Sequence, residues 1–357
     1  MIAHPKGTPF SLQRGDLSMD PISQGIVGAV CARTARPKSA ARDTLLLGAL
    51  AGMAPDLDVL IRSGTDPLLF LEYHRQFTHS IAFAPIGALI VATATLWLFR
   101  SSFKTFIERY WICLAGYFSH GILDATTTYG TQLYFPFADT RIAWNVMSII
   151  DPLYTLPLLL FSVLAILFAH RGYHLVALLW MVGYVGFGTV QRERAEDAGL
   201  ALAIARGHQI TDISAKPGFA SLLLWKTVYE WNGRYFVDGL RMGTRTRYFP
   251  GESVPKVDEQ ELATRIDPSS KQWSDFERFK WFSQGYVGVM PERPNDIMDV
   301  RYSMLIDSAK PLWFIRLDPD NPNDHVAFIS SRDTSQETID RWWCMVTDCS
   351  TPNRSTP

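Results

Sequence analysis

Three short segments hold the side chains best suited to chemistry: Pro55-Asp56-Leu57-Asp58, His74-Arg75-Gln76-Phe77-Thr78-His79-Ser80, and Ser119-His120-Gly121-Ile122-Leu123-Asp124. They supply His74, His79, His120, Asp56, Asp58 and Asp124, and no cysteine. Neutral imidazole with carboxylate is the ligand set of Zn²⁺, and less selectively of Mn²⁺ or Fe²⁺. His120 and Asp124 stand at i and i+4 on one helical face, the spacing by which a helix offers two ligands to one ion. His74 and His79 would point about 140° apart on a continuous helix. They can share a ligand only if His74 lies in a loop and His79 on a first turn. Six candidates exceed one tetrahedral site, so either two ions bind or some of the six orient the others from behind. An ion held by three or four of them keeps a place for water and lowers its pKa toward neutrality, giving a hydroxide that can attack an ester or phosphoester. Asp58, as the uncoordinated member of its pair, could act as general base. Arg75 could clamp a phosphate oxygen, or pair with Glu72 or Asp124. Each motif alone has a plainer reading: a turn or cap for the Asp pair, headgroup-bonded histidines, and a buried His–Asp hydrogen bond.

The elements that must position these groups are greasy. The chain has 357 residues, 47% of them hydrophobic and 19% charged, but the charge is unevenly placed. Residues 43–190 are about 11% charged and 191–357 about 27%, against about a quarter in a typical soluble domain. The hydropathy predicts a mainly α-helical membrane domain over 19–191, followed by an α+β soluble domain over 192–357. Four long spans are expected at 81–99, 110–123, 153–169 and 173–190, with shorter apolar helices at 22–32 and 44–61. Basic loops set orientation. Arg33, Arg36, Lys38 and Arg42, then Arg100, Lys104 and Arg109, then Arg171 fall on one side if those loops are cytoplasmic. All three polar motifs and the C-terminal half then lie outside. The expected location is the bacterial cytoplasmic (inner) membrane. Residues 1–18 lack an apolar core and read as a disordered tail or a start-site artefact, with Met19 as an alternative start.

Within the charged half, Asn232-Gly233 between two strand-like runs signals a hairpin over 222–242. Further strands are expected at 299–306, 312–318 and 325–330, and amphipathic helices at 274–284 and 334–345. Cys344 and Cys349 are either a disulfide, as an oxidising compartment allows, or two free thiols. The uncharged stretch 125–138 reads as a re-entrant or interfacial loop, or as an aromatic belt. Asp151, just before Pro152, reads as a helix N-cap.

PDLD, HRQFTHS and SHGILD, in this order across early apolar segments, resemble the YdjM-type family of membrane-bound metal-dependent hydrolases, itself thought distantly similar to zinc-dependent phospholipase C and P1-type nucleases. The resemblance covers about Met19 to Gln191 and implies zinc ligands among Asp56 or Asp58, His74 or His79, and the His120–Asp124 pair. Further histidines and a Glu that phospholipase C-like sites use are missing here, so one or two ions are expected rather than three. The expectation is therefore a metal-dependent hydrolase acting on a phosphoester or ester of a lipid or envelope molecule, with membrane lipids as partners. A net charge of −1 argues against nucleic acid as the primary partner. The alternatives are a transporter or ion pathway, since buried His and Asp also mark such routes, and a non-catalytic scaffold with a structural metal.

Overall fold

A computed structural model describes residues 20–99, 103–168 and 170–349. The tail expected over 1–18, the alternative start at Met19 and the basic residue Arg100 lie outside the described residues.

The first half is helical. α1 (Pro21–Ala35) begins with Pro after Asp20, whose carboxylate accepts from the Ile22 amide. α2 (Ala41–Met53) runs directly into a 3-10 turn over Ala54–Leu60, started by Pro55. α3 (Leu69–Tyr73), a 3-10 turn over Phe77–His79 and α4 (Ala84–Ala94) follow. α5 (Phe106–Thr126) is capped by Thr105, and α6 (Pro152–Leu167) by Asp151, whose carboxylate accepts from the Leu153 and Tyr154 amides as its position before Pro152 suggested. α7 (Arg171–Ala205) is one continuous helix that passes beyond the apolar stretch by some 15 residues.

The expected four long spans are not found. Among the described residues one helix, α7, is long and apolar enough to cross a membrane, or two spans if a bent pair is counted. The uncharged run 81–99 is broken: residues 69–79 and α4 meet at 84°, and α4 itself has 11 residues, about 16 Å. That is well short of the roughly 30 Å of hydrocarbon. The run at 110–123 lies inside α5, which carries Glu108, Arg109 and Asp124 and buries twelve residues, so its apolar side chains fill an interior. The run at 153–169 yields the 16-residue α6. Hydropathy counted apolar residues correctly but could not tell lipid-facing ones from core. A large sheet-bearing C-terminal region completes the chain. Exposed apolar side chains are nevertheless dense on α4 (Ile86, Leu89, Ile90), α6 (Leu153, Leu156, Leu160) and α7 (Leu175, Leu179, Val182), an apolar surface of the kind that seats in lipid.

Small residues let α1, α2 and α5 pack backbone to backbone. A Cβ on Gly48 would fall 2.8 Å from the Gly28 carbonyl oxygen, and one on Gly116 would fall 2.5 Å from that of Gly48. This close approach is the device membrane helices use in place of a hydrophobic drive. It also gathers the basic loops. Ser39, between α1 and α2, donates to Glu108 at the start of α5, and Thr34 meets His174 at the start of α7. Asp56 and Asp58 follow the other end of α2, and His120 and Asp124 lie at the other end of α5.

The second half holds two antiparallel sheets. β1 (Ile213–Pro217), β2 (Leu224–Trp231), β3 (Arg234–Met242) and β4 (Thr246–Phe249) lie in order, with β5 (Ser253–Pro255) also on β3. The β2–β3 hairpin turns at Asn232-Gly233, both at positive φ. After α8 (Glu259–Arg265) and α9 (Lys271–Phe282), β6 (Val287–Met290), β7 (Arg293–Asp299), β8 (Trp313–Arg316) and β9 (Ala327–Ser330) form the second sheet, and α10 (Gln336–Thr347) closes the fold. The strand expected at 299–306 instead ends at Asp299; the residues after it leave the sheet to bury Arg301 and Tyr302. Cys344 and Cys349 are joined by a disulfide. The halves share their interiors: Leu68, Leu71 and Tyr129 pack with Phe276, Phe279 and Trp313, and Ile26, Leu123 and Tyr184 cluster with Trp225 and Leu240.

Two lysines are buried in this shared interior. Lys226 donates to Ser303 Oγ and the Ser308 carbonyl, and Lys216 to Asn145 Oδ1. Burial pushes both ammonium groups down to about 7 from an ordinary 10.5. Below about pH 7 the folded and unfolded chains both hold these protons. Between about pH 7 and 10.5 the unfolded chain holds more, so folding stability must rise with pH. Thermal unfolding across that range should show the melting temperature climbing in the parent, and much less in a Lys216→Met, Lys226→Met double variant. Equal pH dependence in the two proteins would contradict this.

Candidate metal centre

Three elements bring the polar motifs together. The 3-10 turn that ends α2 carries Asp56 and Asp58. His74 closes α3 with extended backbone, and His79 sits in the 3-10 turn before α4, so the two histidines are not on one continuous helix. His120 and Asp124 occupy the last turns of α5. Gly121 permits the meeting, because a Cβ there would lie 2.3 Å from the His79 carbonyl oxygen.

Asp58 organises the histidines. Its Oδ1 accepts from His74 Nδ1 at 2.7 Å, and its Oδ2 faces His79 Nδ1 at 3.2 Å while accepting from Thr78 Oγ1 and the Arg75 amide. Burial opposes the charge, but the bonds from His74 and His79 outweigh it and hold the carboxyl well below the usual carboxylate range. His74 Nδ1 is thus engaged by Asp58, and His79 Nδ1 by Thr78 Oγ1 at 2.9 Å beside Asp58 Oδ2, which turns Nε2 of His79 toward His120. His120 is set differently: its Nδ1 donates to the Gly52 carbonyl oxygen at 2.6 Å, leaving Nε2 free.

Four ligating atoms therefore converge. His79 Nε2 lies 2.8 Å from His120 Nε2, 3.4 Å from Asp56 Oδ1 and 3.3 Å from Asp124 Oδ2. His120 Nε2 lies 3.4 Å from Asp56 Oδ1 and 3.8 Å from Asp124 Oδ2. With metal–ligand bonds of about 2.0–2.1 Å, the edge of a tetrahedron of ligands is about 3.3–3.4 Å. The observed spacings scatter about that edge. Both oxygens of Asp56 are buried without a hydrogen-bond partner, a costly state unless a cation takes their lone pairs, and Asp124 Oδ2 has none besides its ion pair with Arg75. The residues thus fit a divalent ion. His74 belongs to a second grouping with Asp56 and Asp58. Its Nδ1 is already engaged by Asp58, so that grouping is the poorer ligand set, although His74 Nε2 is buried and unpartnered.

Two further residues complete the surroundings of Asp124. Gln24 of α1 donates from Nε2 to Asp124 Oδ1 at 2.6 Å, which leaves Oδ2 toward the cluster. Arg75 lies with Nε 3.0 Å from Asp124 Oδ2 and donates to Thr127 Oγ1. It is fully buried and does not contact Glu72, which pairs with Arg278. Arg75 holds φ at +63°, a left-handed conformation that costs a branched-free residue about 1–3 kcal/mol and persists only where its surroundings over-determine it. Of the expected site residues, the structure brings together Asp56, Asp58, His74, Arg75, His79, His120 and Asp124. Sequence reasoning missed Gln24 and the Gly52 carbonyl. An uncharged amide in the apolar run 22–32 was the available signal for the first; a backbone oxygen exposes no signal at all.

The fold joins an apolar helical half to a sheet-bearing half, around a buried His/Asp cluster that could hold a metal ion. Residues 19–195 match the family model described as YdjM inner membrane protein, so this segment is similar to that family. It is 31% identical over 110 residues to the Inner membrane protein YbcI of Escherichia coli (strain K12), an alignment covering 29% of this chain. The chain spans 61% of the length of that relative. No solved structure matches. The chain is accordingly an inner membrane protein, with at least one helix able to cross.

Partners behind a ligand typically tune metal affinity by about tenfold to 100-fold. Gln24→Leu keeps the volume and removes the amide, so it should weaken Zn²⁺ binding by a factor in that range in a chelator competition titration. An unchanged affinity would show that Asp124 needs no such support.

Proposed function

We propose that the chain is a metal-dependent hydrolase of the inner membrane. The observation that supports this best is the convergence of two imidazole nitrogens and two carboxylate oxygens, from Asp56, His79, His120 and Asp124, at the spacing of a tetrahedral ligand shell. Two imidazoles and two carboxylates favour Zn²⁺, with Mn²⁺ or Fe²⁺ as substitutes, and one ion in this set is the primary assignment. Such an ion supplies hydroxide near neutral pH by lowering the pKa of bound water. The chain's own residues do the rest: Asp58 holds the rings of His74 and His79 from their Nδ1 sides, Gln24 aims Asp124, and Arg75 offsets the buried negative charge. Of the four ligating groups only Asp56 has exposed side-chain surface, 11%, although both its oxygens are buried, so water and substrate would approach from its side. The substrate class is a phosphoester or ester of a lipid or envelope molecule, in keeping with a centre beside an apolar surface.

Metal analysis of the detergent-purified full chain should return about one transition-metal ion per chain, lost in His120→Ala and Asp124→Ala. The same preparation should cleave a phospholipid or a bis(4-nitrophenyl) phosphate reporter, and the variants should not. A metal-free parent removes the hydrolase reading. Bound metal without cleavage of lipid, ester or nucleotide reporters favours a scaffold with a structural ion, and metal flux into vesicles favours a transporter.

We further propose that the basic ends of α1, α5 and α7 face the cytoplasm and that the C-terminal half lies outside, a placement the Cys344–Cys349 disulfide supports. Alkaline phosphatase fused after residue 205 should then be active, and an inactive fusion would reverse the orientation.

A further inference from the structure

The segment bearing His74 and Arg75 is held by the C-terminal half as well as by its helical neighbours. The Arg75 guanidinium lies 5.2 Å from the centre of the Tyr129 ring. Tyr129 stacks on Tyr302, centroids 5.3 Å apart and planes 21° apart, and the Arg301 guanidinium covers the far face of this pair at 4.9 Å from the Tyr302 ring. Arg301 is in turn fixed by Asp299 at 2.7 Å, and the Tyr302 hydroxyl donates to the Thr128 carbonyl oxygen. A column of cation, two rings and cation thus runs from Asp124's partner to the second sheet. On the other side of the segment, Arg278 of α9 grips Asp66 through two nitrogens at 2.9 and 3.1 Å and Glu72 at 2.5 Å, flanking α3.

We infer that Tyr302 and Arg278 are positioning residues of the centre: they touch none of its ligands, yet they fix the segment whose Arg75 holds an unfavourable backbone and sets Asp124. The C-terminal half is then part of the site's construction. This rests on the reading of Asp56, His79, His120 and Asp124 as an ion site, and the physical argument is over-determination. A non-glycine residue in the left-handed region relaxes when its surroundings loosen, and the guanidinium would swing away from Asp124 Oδ2.

The test uses the full chain in detergent and Co²⁺ as the probe, reading affinity by chelator competition and coordination by the intensity of the visible d–d bands. Tyr302→Ala and Arg278→Ala should each weaken Co²⁺ binding by about tenfold to 100-fold and change the band intensities. Tyr302→Phe, which keeps the ring stack, should recover most of the affinity, whereas Arg278→Lys, whose single nitrogen cannot reproduce the two-nitrogen grip on Asp66 together with the Nε bond to Glu72, should recover little. Arg206→Ala is the control, because Arg206 makes a bidentate pair with Asp238 in the first sheet and lies on neither path. Its melting temperature should fall while its Co²⁺ affinity and spectrum stay at the parent's. If the alanine variants fail to fold, Arg278→Lys decides, and parental affinity there overturns the inference. So does an equal loss in Arg206→Ala. A parent that binds no Co²⁺ fails at the ion-site reading itself, a result distinct from every variant outcome.

Discussion

The constraint on which this structure depends is the crowding of two imidazoles and two carboxylates, almost wholly buried, at one point. Three of the four donors have their other polar atom engaged: His79 Nδ1 by Thr78 and Asp58, His120 Nδ1 by the Gly52 carbonyl, and Asp124 Oδ1 by Gln24, while both oxygens of Asp56 are without a hydrogen-bond partner. What remains faces inward at contacts of 2.8 to 3.8 Å, with the Arg75 guanidinium against Asp124 Oδ2 at 3.0 Å. In a water-poor interior, such an arrangement is strongly unfavourable unless a positive charge fills it. The rigid frame that enforces the convergence, the glycine-lined meeting of α1, α2 and α5, is therefore intelligible as the support of an ion site.

That frame also explains why the centre can lie deep in a greasy half. Backbone contact between small residues puts Gln24 of α1, Gly52 of α2 and Asp124 of α5 within reach of one another. Exposed apolar side chains are dense on α4, α6 and α7 and continue onto α2 and α5 (Leu50, Trp111) and the turn that carries Asp56 and Asp58 (Leu57, Leu60), so the polar centre sits beside apolar surface. The sheets of the second half close over the other side, where Trp225 and Leu240 join the core begun by Ile26 and Leu123.

The candidate site was largely legible in the sequence, because scarce charges in an apolar region must have partners and their helical spacing is readable. His120 and Asp124 needed only the i,i+4 rule, and the break between His74 and His79 followed from their five-residue separation. Asp151 as a cap and Asn232-Gly233 as a turn were local signals and were met. The membrane architecture was much less legible. Hydropathy over 81–99 does not record that Ser80 and Pro85 interrupt the helix, nor that the apolar face of α5 is covered by α1, α2 and α4. Nor did composition reveal that the C-terminal half shares a core with the helices, since Tyr129, Tyr302 and Trp313 meet across more than 170 positions of chain.

X-ray absorption at the edge of the ion bound to the purified full chain bears most directly on the central claim. The account predicts a first shell of two imidazole nitrogens and two carboxylate oxygens, with any further scatterer a water, at about 2.0–2.1 Å. A six-oxygen shell without imidazole, or sulfur ligation, would contradict it.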